Sequence, residues 1–159
     1  MSLAVPAPFT ARLVVEPGWI DPNGHMNVAW YMAAFDRGSD PFFDFVGLGW
    51  GYTREGEGSV FAAGCNVDYH HELLAGDALL VATRLLDHDP RRLHLHATLH
   101  REPDGVLAAT QEIPFVHVSL ATRRSAPIPA SALSLLAAVQ AAHGKLPRPE
   151  GLGRVLGIR

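Results

Sequence analysis

The chain has 159 residues, enough for one domain with a sizeable buried core, and 48% of them are hydrophobic against 18% charged. A formal charge of −3 gives no electrostatic reason to expect nucleic acid or an anionic membrane as a partner. The single cysteine excludes an intrachain disulfide framework and a Cys-rich zinc site.

Met1 to Pro8 lacks the basic start and apolar run of a signal peptide, and no run of about 20 apolar residues is present to span a bilayer. A cytoplasmic location is therefore expected. Phe9 to Val15 reads as a first strand, closed by Glu16-Pro17-Gly18. The stretch Asp21-Pro22-Asn23-Gly24-His25-Met26-Asn27 follows. Four polar side chains alternate there, and Pro22 and Gly24 between them forbid a regular helix or strand. From Val28, apolar residues recur at helical spacing: Tyr31, Met32, Phe35, then Phe42, Phe45 and Val46. A polar turn thus feeds the start of a largely buried helix, whose free N–H groups and positive dipole end suit a developing oxyanion. Asp40-Pro41 within that pattern predicts a kink or restart, with Asp40 capping and Pro41 at the first helical position. Gly47-Leu48-Gly49 ends the helix, and Trp50 to Gly58 reads as a Gly-rich connection.

Ser59 to His70 alternates as a strand, with Phe61, Ala63, Cys65, Val67 and Tyr69 on one face and Asn66, Asp68 and His70 on the other. Ala75-Gly76-Asp77 is a turn, Ala78 to Leu86 a strand, and Asp87 to Pro90 a second turn. Leu93 to His100 alternates strictly, and Pro103-Asp104-Gly105 is a hairpin signal. Val106 to Leu120 is a last long strand in which Pro114 predicts a bulge or an edge position. Ala130 to His143 reads as a helix, and the tail from Leu146 is rich in Pro and Gly. One strand, one long helix and four successive antiparallel strands make an α+β domain. A sheet of this kind needs a covered face, and the early helix is the long apolar element available to cover it. That is the hotdog architecture, a curved antiparallel sheet wrapped around a central helix. One domain spans 1–159, with its core at about 9–123 and a C-terminal helix and tail at 130–159.

Asp21-Pro22-Asn23-Gly24 before the helix resembles the Asp-Pro-x-Gly of 4-hydroxybenzoyl-CoA thioesterase. Asp21-x-Asn23-x-His25-x-Asn27 with Tyr31 resembles the corresponding motif of plant acyl-ACP thioesterases, and Tyr69-His70-His71-Glu72 is similar to their Tyr-x-x-Glu. The runs Thr122-Arg123-Arg124-Ser125-Ala126-Pro127 and Leu146-Pro147-Arg148-Pro149-Glu150-Gly151 resemble a subgroup that includes betainyl-CoA thioesterases of carnitine breakdown. The resemblance implies hydrolysis of an acyl-CoA without cofactor or metal. Asp21 would attack the thioester carbonyl or activate the water that does. Asn23 and His25 would assist, Glu72 would be a second carboxylate, and the Val28 backbone N–H would polarise the carbonyl. Asn27 is explained structurally as the helix N-cap, and with Tyr31 and Tyr69 it would meet the substrate. Arg123 and Arg124 would pair with CoA phosphates. A quaternary ammonium acyl group would suit an aromatic surround drawn from Trp19, Trp30, Trp50 and Tyr52. Exposed sheet edges predict a homodimer or a dimer of dimers.

Other readings of the same residues compete. An Asp-Pro-Asn-Gly turn forms without any chemistry. His70, His71, Glu72, His94 and His96 are possible metal ligands, although alternating histidines on a strand read better as a wet sheet face. Cys65, among apolar residues, reads as a small core residue and not a nucleophile. A non-catalytic acyl-thioester binding protein on the same fold is a further reading. So is a hotdog dehydratase, whose usual motif is not the one at 21–27.

Overall fold

The computed structural model describes residues 4–157. Strand β1 (Phe9–Val14) and a single 3₁₀ turn lead to helix α1 (Val28–Phe45), followed by a short helix α2 (Trp50–Glu55). Then come β2 (Gly58–Ala62), β3 (Asn66–Tyr69), β4 (Ala78–His88), β5 (Arg92–Glu102), β6 (Leu107–Ser119) and helix α3 (Ala130–His143). The strands form one antiparallel sheet in the order β1-β4-β5-β6, with β2 and β3 sharing the far side of β6. Helix α1 lies across one face of the sheet, where Leu79, Val81, Leu95, Ala97 and Leu99 are buried with Tyr31, Ala34, Phe35 and Phe42. This is the expected hotdog arrangement. Gly38 sets the closest approach: a methyl group there would overlap Val81 of β4.

Three expectations are corrected. First, α1 does not restart at Asp40-Pro41 but runs unbroken through Pro41 for 18 residues. An interior proline costs about 3 kcal/mol. The next two residues, Phe42 and Phe43, are both buried, each worth roughly 1.5–3 kcal/mol, so continuation wins. Second, the predicted strand Ser59 to His70 is split at 63–65 into β2 and β3, and Trp50 to Glu55 is helical. Pro114 explains the split while β6 itself stays continuous. Its carbonyl accepts from Ala63 N (2.8 Å), so its nitrogen, which carries no hydrogen, also faces this neighbour and leaves the ladder unsupported there.

Third, the apolar face of that predicted strand is not core. Phe61 and Tyr69 are 44% and 49% exposed, and Cys65 is exposed too. The alternation is real, but β2 and β3 form the sheet edge, and among the described residues no element buries the face that carries Phe61, Cys65 and Tyr69. In contrast, α3 has the predicted bounds and closes the end of the core near Phe9, Leu85 and Leu93. His143 ends it at zero exposure, its Nδ1 accepting from Leu85 N (2.8 Å) and its Nε2 donating to Pro6 O (2.8 Å).

Candidate active site

The polar turn is a miniature hairpin. Ile20 and Met26 pair across it, Asp21 N donates to His25 O (3.1 Å), and Gly24 N donates to Asp21 O (2.9 Å). Gly24 sits at φ 86°, a left-handed conformation that favours glycine. Two bonds fix the turn to the body: Asn27 N to Trp19 O (2.9 Å) and Met26 N to Leu73 O (2.7 Å). Trp19 stacks on Trp30 at 5.0 Å, and the Arg37 guanidinium lies over the Trp19 ring. That apolar clamp holds the approach to α1.

Asn27 is the N-cap, as expected, and it does two things. Its Oδ1 accepts from Ala29 N (3.0 Å) while its Nδ2 donates to Asp21 Oδ2 (2.9 Å). The other Asp21 oxygen accepts from Asn23 N (2.8 Å). The Asn27 bond, then the Asn23 backbone bond, hold the Asp21 carboxyl below its ordinary value. Asp21 is therefore ionised throughout the neutral range, and each oxygen keeps a free lone pair. Since Asn27 caps Ala29, the Val28 N–H has no hydrogen-bond partner among the described residues. It is a free donor at the positive end of an 18-residue helix.

That helix start opens on a cleft of about 300 Å³ lined by His25, Val28, Tyr31, Tyr69, His71 and Glu72. The Tyr31 hydroxyl donates to His71 O (3.1 Å), and its ring meets Tyr69 edge-on at 5.1 Å, so the segment carrying Glu72 is tied to α1. Burial pushes the Tyr31 phenol above its ordinary value, which keeps it a neutral donor. His25 Nδ1 donates to Met26 O (3.3 Å), leaving Nε2 as a free acceptor. Glu72 is exposed and makes no hydrogen bond among the described residues.

The structure therefore gathers His25, Val28, Tyr31, Tyr69 and Glu72 around one cleft. Asp21 and Asn23 do not line it; Asn27 ties the Asp21 carboxylate to the helix start, and Asn23 N bonds Asp21 directly. Arg123 and Arg124 are exposed in the turn after β6, where Arg123 N donates to Ser119 O (2.8 Å) and Ser119 N to Arg124 O (2.9 Å). Tyr69 pairs with Ala109 at the other end of β6, so the arginines are roughly 30 Å along the strand from the cleft. None of the four aromatic residues expected around the acyl group lines the cleft. Trp19 and Trp30 are spent on each other. Tyr52 donates to His117 Nε2 (2.9 Å), and Trp50 bonds Asp40 (3.2 Å) further along α1. The rings that do line the cleft are Tyr31 and Tyr69.

Among the described residues no three His, Cys, Asp or Glu side chains converge to hold a metal. His94 instead pairs with Glu112 (2.8 Å), and His70 contacts Thr110. Sequence reasoning missed the main-chain tie from Met26 to Leu73, which no side-chain pattern reveals.

The model of a thioesterase-like superfamily matches residues 15–139 of the chain. The chain is 39% identical over 150 residues to a betainyl-CoA thioesterase of Pseudomonas aeruginosa, covering 94% of each. It is 31% identical to an L-carnitine dehydrogenase/betainyl-CoA thioesterase of Rhizobium meliloti, matching 90% of this chain but 29% of that larger protein. A Staphylococcus aureus protein solved in complex with CoA superposes with a TM-score of 0.88 at 30% identity, covering all of both chains. With a free helix-start N–H facing a carboxylate-lined cleft and these relatives over nearly its full length, the chain belongs to the hotdog thioesterase-like superfamily and is a thioester hydrolase.

Proposed function

We propose that the protein hydrolyses a small acyl-CoA, betainyl-CoA being the leading substrate, to the free acid and CoA. The unpartnered Val28 N–H opening on the cleft carries this reading. A thioester carbonyl placed on it receives a hydrogen bond that strengthens as negative charge builds on oxygen. Asp21 is the carboxylate that attacks the carbonyl carbon or takes a proton from the attacking water. His25 and Asn23 assist, and Asn27, Tyr31 and Tyr69 border the bound acyl group. The C–S bond then breaks, and the thiolate leaves with little need of an acid. Where Asp21 itself attacks, water then cleaves the resulting acyl–Asp21 anhydride, releasing the acid and restoring the carboxylate.

One observation favours a second assignment of the base. Asp21 has both oxygens engaged and does not line the cleft, whereas Glu72 does so with its carboxylate free. On that reading Glu72 activates the water and Asp21 holds the turn. For the acyl group, support comes from the Pseudomonas relative and from the rings of Tyr31 and Tyr69, which line the cleft with the Glu72 carboxylate and suit a small cationic acyl group. The exposed edge of β2 and β3, with Phe61, Tyr69, Val28 and Met32 uncovered, supports a homodimer or a dimer of dimers.

The test is thiol release from betainyl-CoA and uncharged acyl-CoAs of similar size, using wild type, Asp21→Asn and Glu72→Gln. We expect kcat to fall by about two orders of magnitude or more in whichever variant lacks the catalytic carboxylate, with the other far less affected. Absence of thiol release by wild type from every acyl-CoA would refute the function. Equal turnover of betainyl and uncharged groups would refute the acyl assignment.

A further inference from the structure

On the sheet face opposite α1, the segment after α3 crosses the strands and roofs a cavity of about 670 Å³. Its floor is built by register: Ala82 and Arg84 of β4 stand beside Thr98 and His96 of β5, and these beside Thr110 and Glu112 of β6. The roof is Leu146-Pro147-Arg148-Pro149-Glu150-Gly151, the run singled out in the sequence.

This face has donors without acceptors. Arg84 gives Nη1 to Pro147 O and Nη2 to His143 O, but its Nε is buried with no partner, and no carboxylate pairs with it among the described residues. Burial works against its charge. Arg154, whose Nη2 pairs with Asp68, likewise has a buried Nε without a partner. These are the two buried side-chain polar atoms lacking partners among the described residues, and both belong to this face. His96 is 6% exposed, lines the cavity and makes no hydrogen bond among the described residues. Of the carboxylates on this face, Asp68 is paired with Arg154, and Glu112 with His94 and with Gly153 N (2.7 Å). The exposed Glu150 of the roof pairs with no cation among the described residues and stands two residues from the equally unpaired Arg148. An uncompensated guanidinium beside a buried, unbonded imidazole lacks an anion with acceptor oxygens. His70 lines both this cavity and the cleft at the start of α1.

We propose that this cavity receives the phosphate-bearing end of CoA, whose arm passes His70 from the thioester at Val28 to phosphate oxygens at Arg84 and His96. The choice of CoA as the source of the phosphate rests on the thioesterase reading. The anion site itself rests on the orphaned donors.

Calorimetric titration with CoA, pantetheine and inorganic phosphate tests this on wild type, Thr98→Phe and Arg84→Gln, with circular dichroism confirming the fold. Thr98→Phe fills the cavity from a partly exposed position without touching the arginine. We expect CoA affinity to drop at least tenfold in both variants while that for pantetheine, which lacks phosphates, stays within about twofold. The proposal is overturned if CoA affinity is unchanged in Thr98→Phe. It is overturned equally if inorganic phosphate binds in a Thr98-dependent way and CoA does not, which would make this a site for free anions. Because binding is read without turnover, a wild type that releases no thiol yet binds CoA in a Thr98-dependent way sinks the hydrolase reading and supports this site.

Discussion

Replacing Val28 by proline removes the proposed oxyanion donor and little else. Val28 is the first residue of α1, where proline's fixed φ is already helical and its missing N–H breaks no helix bond. The preceding residue, Asn27, has φ −65° and ψ 146°, the extended conformation that a following proline requires. The Val28 N–H has no partner to lose among the described residues, and the valine side chain is 55% exposed, so little packing is forfeited. The stability change should therefore stay within about 1 kcal/mol, a shift of only a few degrees in Tm for a chain of this size. Against that, loss of an oxyanion donor costs about 10²–10³ in kcat, or roughly 2.7–4 kcal/mol of transition-state stabilisation. Val28→Ala, which keeps the N–H, should retain activity within a few-fold. Thermal unfolding and steady-state thiol release on the three proteins read both quantities. A folded Val28→Pro protein with wild-type kcat would refute the reasoning outright.

Asn27 separates capping from carboxylate positioning. Asn27→Ser keeps a cap and loses the donor to Asp21, whereas Asn27→Ala loses both and should cost about 1 kcal/mol of stability. In both variants the Asp21 carboxyl loses the largest cause of its lowered pKa, so the acid limb of the kcat profile should move to higher pH. An unmoved limb would mean that Asp21 is not the group whose ionisation limits turnover. His143 links stability to pH, because burial lowers its pKa below the ordinary histidine value. Its contribution is complete above the unfolded pKa of about 6.5 and falls as pH drops below that, since the unfolded chain then binds more protons. His96, lowered chiefly by burial, adds in the same direction. Urea midpoints at pH 7.5 and 5.5 should differ less in His143→Gln than in wild type; an identical difference would exclude His143 as a contributor. His143→Ala should cost roughly 2–4 kcal/mol at pH 7.5, because it strands the buried Leu85 N–H and empties the space beside Phe9.

The sequence by itself determined the local elements and the chemistry of the turn. Periodicity located α1, β1, α3 and the long strands, because side-chain spacing on a helix or strand is a local property. Asp21-Pro22-Asn23-Gly24 marked a turn, and Asn27 marked a cap, because both depend on bonds to residues nearby in the chain. Whether a face is buried is different, since it depends on which element arrives to cover it. Phe61, Cys65 and Tyr69 share a face as read, yet they stand at an edge that one chain leaves open. Pro41 looked like a break, but the helix persists because Phe42 and Phe43 find a core that no local rule could supply. Only tertiary structure brought Glu72 to the start of α1, through Met26 and Leu73, and only strand register placed Arg84 beside His96. Those pairings join residues distant in sequence through main-chain hydrogen bonds, which every residue but proline can make in both directions. No residue pattern therefore announces them.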